Sequence, residues 1–177
     1  FLAGFNDVFF LGWLSLGTLL LTRGKNMWAG IAFGAAFASK QSAWFLIPFY
    51  LAYLYFTHRS KGIRHVVKQA LPALILAVAV LVPFFLWSPH DFIDDIIRYG
   101  TGSAQLSYPI SGLGIGQLLL SAGIVKSMWD NYPFWVFQLV LGLPLLWILL
   151  RWQSRQPSVS KMLTAYGIFS FAMWFVS

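Results

Sequence analysis

The sequence contains no cysteine and no glutamate, and only 10% of its 177 residues are charged. Without cysteine the chain can form no disulfide, no thiol nucleophile and no cysteine-ligated metal site. Because a soluble domain carries about 25% charged residues, the shortage of charge argues against an ordinary soluble protein. The chain is instead 59% hydrophobic, with nine Trp and seventeen Phe. This composition is typical of an integral membrane protein.

Long apolar stretches predict an all-α fold, a polytopic transmembrane helix bundle of about six membrane segments. A spanning helix needs about 20 apolar residues, and the apolar runs are continuous rather than alternating, which argues against a barrel. We expect one transmembrane domain over residues 1–177, as an internal part of a longer chain. The segments are expected at about 8–22, 27–39, 42–57, 70–87, 134–150 and from 162 to the last residue.

The basic residues predict the orientation. Nine of the twelve fall in three alternate loops, "TRGKN", "HRSKGIRHVVK" and "RWQSRQPSVSK", whereas all five aspartates lie elsewhere. The positive-inside rule places these loops in the cytoplasm, and we expect a multi-pass protein of the inner membrane. Membrane topology alone can explain why these loops are basic. The alternative interpretation is that "HRSKGIRHVVK" forms a binding site for a lipid headgroup or a partner. His58 and His65 are expected to be solvated, because they lack a metal-site spacing.

Residues 88–133 are expected to form an outer, non-cytoplasmic loop that is far longer than usual for a helix bundle. Its first part, "SPHDFIDDIIRY", predicts a short amphipathic helix at the membrane interface that starts at Ser88 and Pro89, with Asp91 in its first turn. The later part, "SYPISGLGIGQLLLSAG", predicts an interfacial or re-entrant segment. Its glycine spacing follows no strand, so a dinucleotide site is not expected.

A lysine interrupts the apolar run in "GAAFASKQSAWFLIP". From Met27 to Thr57 the chain would form about 46 Å of helix, whereas two crossings of the membrane core need about 60 Å. The alternation of charged loops favours a hairpin of two short helices, packed through small residues, with Lys40 below the outer membrane surface. A lysine at mid-bilayer costs up to about 3 kcal/mol. Lys40 therefore either lines an outward-facing polar pocket that attracts an anion, or snorkels to the headgroups.

Charged and polar side chains are expected to converge on the outer face near Lys40. Asp7 has two interpretations, a helix cap and a carboxylate at the mouth of the pocket. Cations would hold a lipid phosphate and a carboxylate would act as a base. The candidate catalytic residues are Asp7, Asp94 and Asp95. The candidate donor-phosphate contacts are Lys40, His90, Arg98 and Tyr108. No metal site is predicted.

The stretch "GKNMWAGIAFGAAFASKQSAWFLIPFYLAYLY" resembles the helix hairpin of polytopic GT-C glycosyltransferases, which depend on polyprenyl-phosphate sugars. Within them it is similar to the bacterial mannosyltransferase-like group. "FNDVFFLGWLSLGTLLLTRGK" resembles the preceding helix of these enzymes, which opens with a Gly-x-Asn-Asp-like stretch. Gly4, Asn6 and Asp7 match that stretch loosely. "DFIDDIIRYGTGSAQLSYPISGLGIGQLLL" resembles the outer loop, so the resemblance covers about residues 3–125.

The resemblance implies a transferase at the outer face that moves a sugar, with inversion, from a lipid-linked donor to a lipid, glycan or protein. The expected partners are that donor, the lipid bilayer and other membrane proteins, but no nucleic acid. A divalent cation as cofactor is left open. In many such enzymes the catalytic carboxylate lies in the first outer loop, which would precede Phe1, so Lys40 and Arg98 are favoured as phosphate contacts over Asp7 as base.

Two other functions remain open from the sequence. A transporter or lipid flippase with an anion-attracting cavity would also place a charge within the membrane, although no inverted repeat is visible. A non-catalytic membrane subunit of a larger complex is the third interpretation.

Overall fold

The computed structural model describes residues 5–98, 110, 114–130 and 132–176. Within these ranges the regular structure is helical and no strand is present, which confirms the all-α prediction. Short 3-10 helices cover Gln41–Phe45 and Arg59–Lys61. The α-helices are α1 (Phe5–Thr22), α2 (Asn26–Ser39), α3 (Leu46–Thr57), α4 (Ile63–Trp87), α5 (Pro89–Ile93), α6 (Ile115–Ser121), α7 (Phe134–Arg155) and α8 (Val159–Val176).

Three of the described helices, α4, α7 and α8, are long and apolar enough to cross a membrane. The apolar stretch of α1 is shorter, from Val8 to Thr22. With 14 and 12 residues, α2 and α3 are about 21 and 18 Å long and do not reach across a core of about 30 Å. All six predicted segments are therefore helical, but three of them reach spanning length.

The long helices expose large apolar side chains along most of their length. Leu74, Phe84 and Leu86 of α4 are 59%, 65% and 71% exposed, and Val140 and Leu143 of α7 are 64% and 60% exposed. A large continuous apolar surface of this kind marks contact with lipid or another protein rather than with water. Together with the helix lengths, it supports the membrane assignment.

The chain divides into two compact units. The first comprises Phe1–Pro83 and Leu149–Tyr166, and the second comprises Phe84–Ile148 and Gly167–Ser177. In the first unit α1 packs against α2, and the end of α7 is tied to α3 by the fully buried Gln153, whose Nε2 donates to the carbonyl of Phe49 at 2.8 Å.

The helices α2 and α3 form the predicted hairpin. At one end Asn26, the first residue of α2, lies 3.4 Å from the ring of His58, which follows α3. Further along, the rings of Phe33 and Tyr50 meet edge to face with centroids 4.9 Å apart. Because the paired residues run in opposite directions along the chain, the two helices are antiparallel, which confirms the hairpin.

Two glycines one turn apart bring α2 close to α4. A Cβ atom on Gly34 would lie 2.6 Å from the carbonyl oxygen of Ala73, and one on Gly30 would lie 3.2 Å from the carbonyl oxygen of Gln69. The sequence predicted that the small residues pack the two arms of the hairpin together. The glycine pair contacts α4, in the manner of small-residue helix crossings in membranes, and a Cβ atom on Gly30 would also lie 3.4 Å from the hydroxyl of Tyr50 on α3.

In the second unit, α5 packs on the end of α4 through the rings of Phe92 and Phe85, whose centroids are 5.6 Å apart. Ile110, which precedes α6, forms a small apolar cluster with Val125 and Phe134, which follow it. A Cβ atom on Gly114, which precedes α6, would collide with the carbonyl oxygen of Phe175. The α6 segment therefore packs against α8, as a re-entrant or interfacial segment would, while its depth in the membrane stays a prediction.

The contact between α2 and α4 can be tested with Gly34→Ala. The added Cβ would meet backbone at 2.6 Å, which the helices can relieve only by separating, so we expect a loss of about 1–3 kcal/mol of stability. The control is Gly12→Ala in α1, where a Cβ meets nothing within 4 Å. Thermal unfolding of the whole protein in detergent would measure both, and equal melting temperatures would contradict the close approach.

Candidate functional site

Lys40 forms the joint between the two arms of the hairpin. Helix α2 ends at Ser39, and Lys40 has an extended backbone with φ −158° and ψ 139°. Its N–H donates to the carbonyl of Ala36 at 3.2 Å, and its own carbonyl accepts from the N–H of Ala43 at 3.1 Å. The side chain is half-buried. The lysine is thus held at the tip of the hairpin by backbone bonds on both sides.

Side chains further fix the tip of the hairpin. The indole Nε1 of Trp44 donates to the carbonyl of Phe37 at 2.7 Å. This carbonyl lies in the last turn of α2, where helices leave acceptors without an intrahelical donor. The hydroxyl of Tyr166 on α8 donates to the carbonyl of Ser42 at 3.4 Å. The turn that carries Lys40 is therefore anchored to both α2 and α8.

An apolar groove of about 600 Å³ runs along α2, α3 and α4 beside this turn. At one end it is lined by Phe37 and Ile47, which flank the turn at Lys40. At the other end it is lined by Ile63 and Val66, in the first turn of α4. Because its walls come from three helices, the groove exists only once the hairpin has packed on α4, and sequence patterns gave no signal for it.

In the second unit, α5 and the helical turn that follows it bring three of the predicted site residues into one row. Arg98 Nη1 donates to Asp94 Oδ1 at 2.8 Å, and His90 Nδ1 lies 3.5 Å from Asp94 Oδ2. The Asp94 side chain is 32% exposed, compared with 49% for Arg98 and 76% for His90. Asp94 is therefore the most sheltered of the three and sits between the histidine and a permanent cation.

The amphipathic helix predicted here is present, with one difference in geometry. It starts as expected, with Pro89 in the first turn and the hydroxyl of Ser88 donating to Asp91 Oδ2 at 2.6 Å. Beyond Ile93 the chain continues as a π-helical turn over Asp94–Arg98. A π turn adds a residue to the helical repeat, which shifts the later side chains relative to the predicted α-helical faces.

The remaining predicted site residues lie in different places. Asp7 is in the first turn of α1, where a negative charge is favoured by the helix dipole. Asp95 is exposed on the π turn, and Tyr108 falls outside the described residues. Lys40 belongs to the first unit, whereas His90 to Arg98 belong to the second. The convergence of these residues on one site stays a prediction.

No metal cluster is found in the described part of the chain, where no three His or Asp side chains lie close enough together to hold an ion. The first unit offers the ammonium group of Lys40 beside an apolar groove, and the second unit offers an imidazole, a guanidinium group and carboxylates. An ammonium group beside an apolar groove can hold an anion that carries a long apolar chain, and a carboxylate can accept a proton.

Comparison with known proteins identifies the family. The model of glycosyltransferase family 87 matches residues 1–177, the whole of the sequence. No curated protein and no solved structure matches the chain. The family match favours an enzyme over the transporter and the non-catalytic subunit that the sequence left open. With its apolar helices, the chain belongs to glycosyltransferase family 87 and is a membrane glycosyltransferase.

Proposed function

We propose that this glycosyltransferase takes its sugar from a lipid-phosphate donor, of the polyprenyl-phosphate type used by GT-C enzymes, at the outer face of a bacterial inner membrane. The observation that carries the proposal is the position of Lys40. Lys40 lies at the turn of a hairpin of two helices that are each too short to cross the membrane, and the apolar groove begins beside this turn.

The depth of Lys40 follows from helix length. If the end of the hairpin at Asn26 and His58 lies at the cytoplasmic surface, α2 carries the chain only about 21 Å into a core of about 30 Å. An ammonium group at that depth is costly unless water or an anion reaches it. A donor phosphate that enters from the outer side would bring a negative charge to Lys40.

The apolar groove suits the hydrocarbon chain of such a donor. Its lining is almost entirely aliphatic and aromatic, with Leu51, Leu71 and Leu74 along its length. Within a membrane the surrounding lipid is as apolar as the groove, so burial there adds little affinity. The groove therefore positions the chain, and the phosphate contact at Lys40 provides most of the discrimination.

The transfer itself requires a base and a stabilised leaving group. The acceptor hydroxyl attacks the anomeric carbon, the bond from that carbon to the phosphate oxygen breaks, and the phosphate departs with the electron pair. A carboxylate accepts the hydroxyl proton, and cations stabilise the charge on the leaving phosphate. We assign the cationic role to Lys40 and Arg98, assisted by His90 and Tyr108, and the basic role to Asp7, Asp94 or Asp95. A divalent cation remains open.

The orientation can be tested in the natural background of the chain, which has no cysteine. Single variants Asn131→Cys and Ser60→Cys are expressed in whole cells and treated with a thiol reagent that does not cross membranes. We expect labelling of the cysteine at 131 from outside, and of the cysteine at 60 only after the cells are opened. The reverse pattern would place Lys40 on the cytoplasmic side and end the outer-face proposal.

The phosphate contact can be tested with Lys40→Ala. Loss of a charged hydrogen bond to the phosphate should raise the KM for a polyprenyl-phosphate sugar about 10- to 100-fold. Lys40→Arg should retain part of the affinity, because the charge remains. The control is Lys126→Ala, which removes a cation predicted on the same side of the membrane. Sugar transfer measured in membranes would be unchanged in all three variants if Lys40 only snorkels to headgroups.

The apolar groove can be tested with Ala70→Phe, which places a ring in its wall. We expect a lower kcat/KM for a long-chain donor and an unchanged kcat/KM for a donor with a shortened chain, because only the long chain is positioned by the groove. Ala79→Phe on the exposed side of the same helix is the control. An equal effect of Ala70→Phe on both donors would show that the groove does not hold the chain.

A further inference from the structure

A second, polar cleft of about 540 Å³ lies at the opposite end of the hairpin from Lys40. It is bounded by the turn between α1 and α2 and by the connection between α3 and α4. Its polar lining comes from Thr22, Asn26, Tyr53, Thr57, His58, Lys61, His65 and Gln69. None of these residues has a role in the proposed sugar transfer, so the cleft is a separate feature of the first unit.

Glycines with positive φ angles shape both walls of this cleft. Gly24 has φ 71° and Gly62 has φ 76°, which is the left-handed region that other residues rarely adopt. At Gly24 the chain reverses after α1, with the N–H of Lys25 donating to the carbonyl of Leu20 at 2.9 Å. At Gly62 it turns from the 3-10 helix Arg59–Lys61 into α4. The two connections thereby face each other across a fixed gap.

His58 is held in place inside the cleft, although the sequence predicted that it is solvated. Its Nδ1 donates to the carbonyl of Leu54 at 3.2 Å, which leaves Nε2 as an acceptor for the amide of Asn26 at 3.4 Å. The ring of His65 lies 5.1 Å from that of His58. The two histidines and Asn26 therefore form an ordered polar group from three parts of the chain.

The charge around the cleft is of one sign. The two connections carry Arg23, Lys25, Arg59 and Lys61, and Arg64 follows in the first turn of α4. No acidic residue occurs between residues 8 and 90 of the sequence. Such a concentration of cations repels a metal ion and attracts an anion. Topology alone would require only that these charges lie in the loops. It does not require a cleft in which half-buried neutral donors stand beside a lysine.

We propose that this cleft binds a phosphate group, held by Lys61, His65 and the amide of Asn26. Lys61 supplies the charge, while the imidazole and the amide supply directed hydrogen bonds. A cleft of this volume lies within the range of small-ligand sites. The same phosphate chemistry occurs in an anionic lipid headgroup of the adjacent leaflet and in soluble phosphate compounds, and the experiment separates these two sources.

The test uses the whole protein in nanodiscs of neutral phosphatidylcholine, titrated with dioctanoyl phosphatidic acid and, separately, with inorganic phosphate. We expect Lys61→Gln to weaken binding about fivefold or more. Asn26→Ala should also weaken it, although it removes no charge. The control is Lys161→Gln, the same change in another basic loop, where the ammonium contacts Gln156 and Trp152. Thermal unfolding checks that each variant is folded.

Each outcome decides the proposal. Binding of the lipid alone, weakened by Lys61→Gln and Asn26→Ala, supports a headgroup site. Binding of inorganic phosphate with displacement of the lipid supports a site for soluble phosphates. The proposal is overturned if neither probe binds, if Asn26→Ala binds like the native protein, or if Lys161→Gln weakens binding as much as Lys61→Gln. The last two results would indicate a diffuse attraction between basic loops and anions.

Discussion

The close approach of α2 to α4 at Gly30 and Gly34 is the contact on which the first unit depends. In lipid no hydrophobic force draws helices together, so the energy of association comes from van der Waals contact, which needs backbones that can touch. Here two glycines remove the side chains that would hold α4 away. With α2 fixed on α4, the antiparallel α3 completes the apolar groove. The same packing sets Lys40 at one end of the hairpin and the polar cleft at the other.

Features that depend on short sequence ranges could be predicted. The hairpin followed from the length of the apolar run around Lys40 and from the alternation of basic loops, both of which reflect the fixed thickness of the membrane. The start of α5 followed from Ser88, Pro89 and Asp91, because helix capping is decided within one turn. These interactions join residues a few positions apart, so the sequence alone contains the information.

Features that need distant residues to meet could not be predicted. Asn26 and His58 are separated by a whole hairpin, and their contact depends on the register in which α2 and α3 pack. The small residues of α2 were expected to face α3, but composition does not specify which neighbour a glycine pair contacts. The π turn after Ile93 also left no signal, since the apolar spacing of "DFIDDIIRY" suits an α-helix equally well.

The length of the hairpin constrains how its two ends can act. With 14 residues, α2 separates the turn at Lys40 from the cleft at Asn26 by about 21 Å. A single phosphate cannot contact both ends, and the apolar groove between them offers no polar path. The cations at the two ends are therefore available to different phosphate groups. If Lys40 holds the sugar donor from the outer side, the cleft faces the opposite leaflet, where an anionic headgroup could brace the connections around α2 and α4 without competing with the donor.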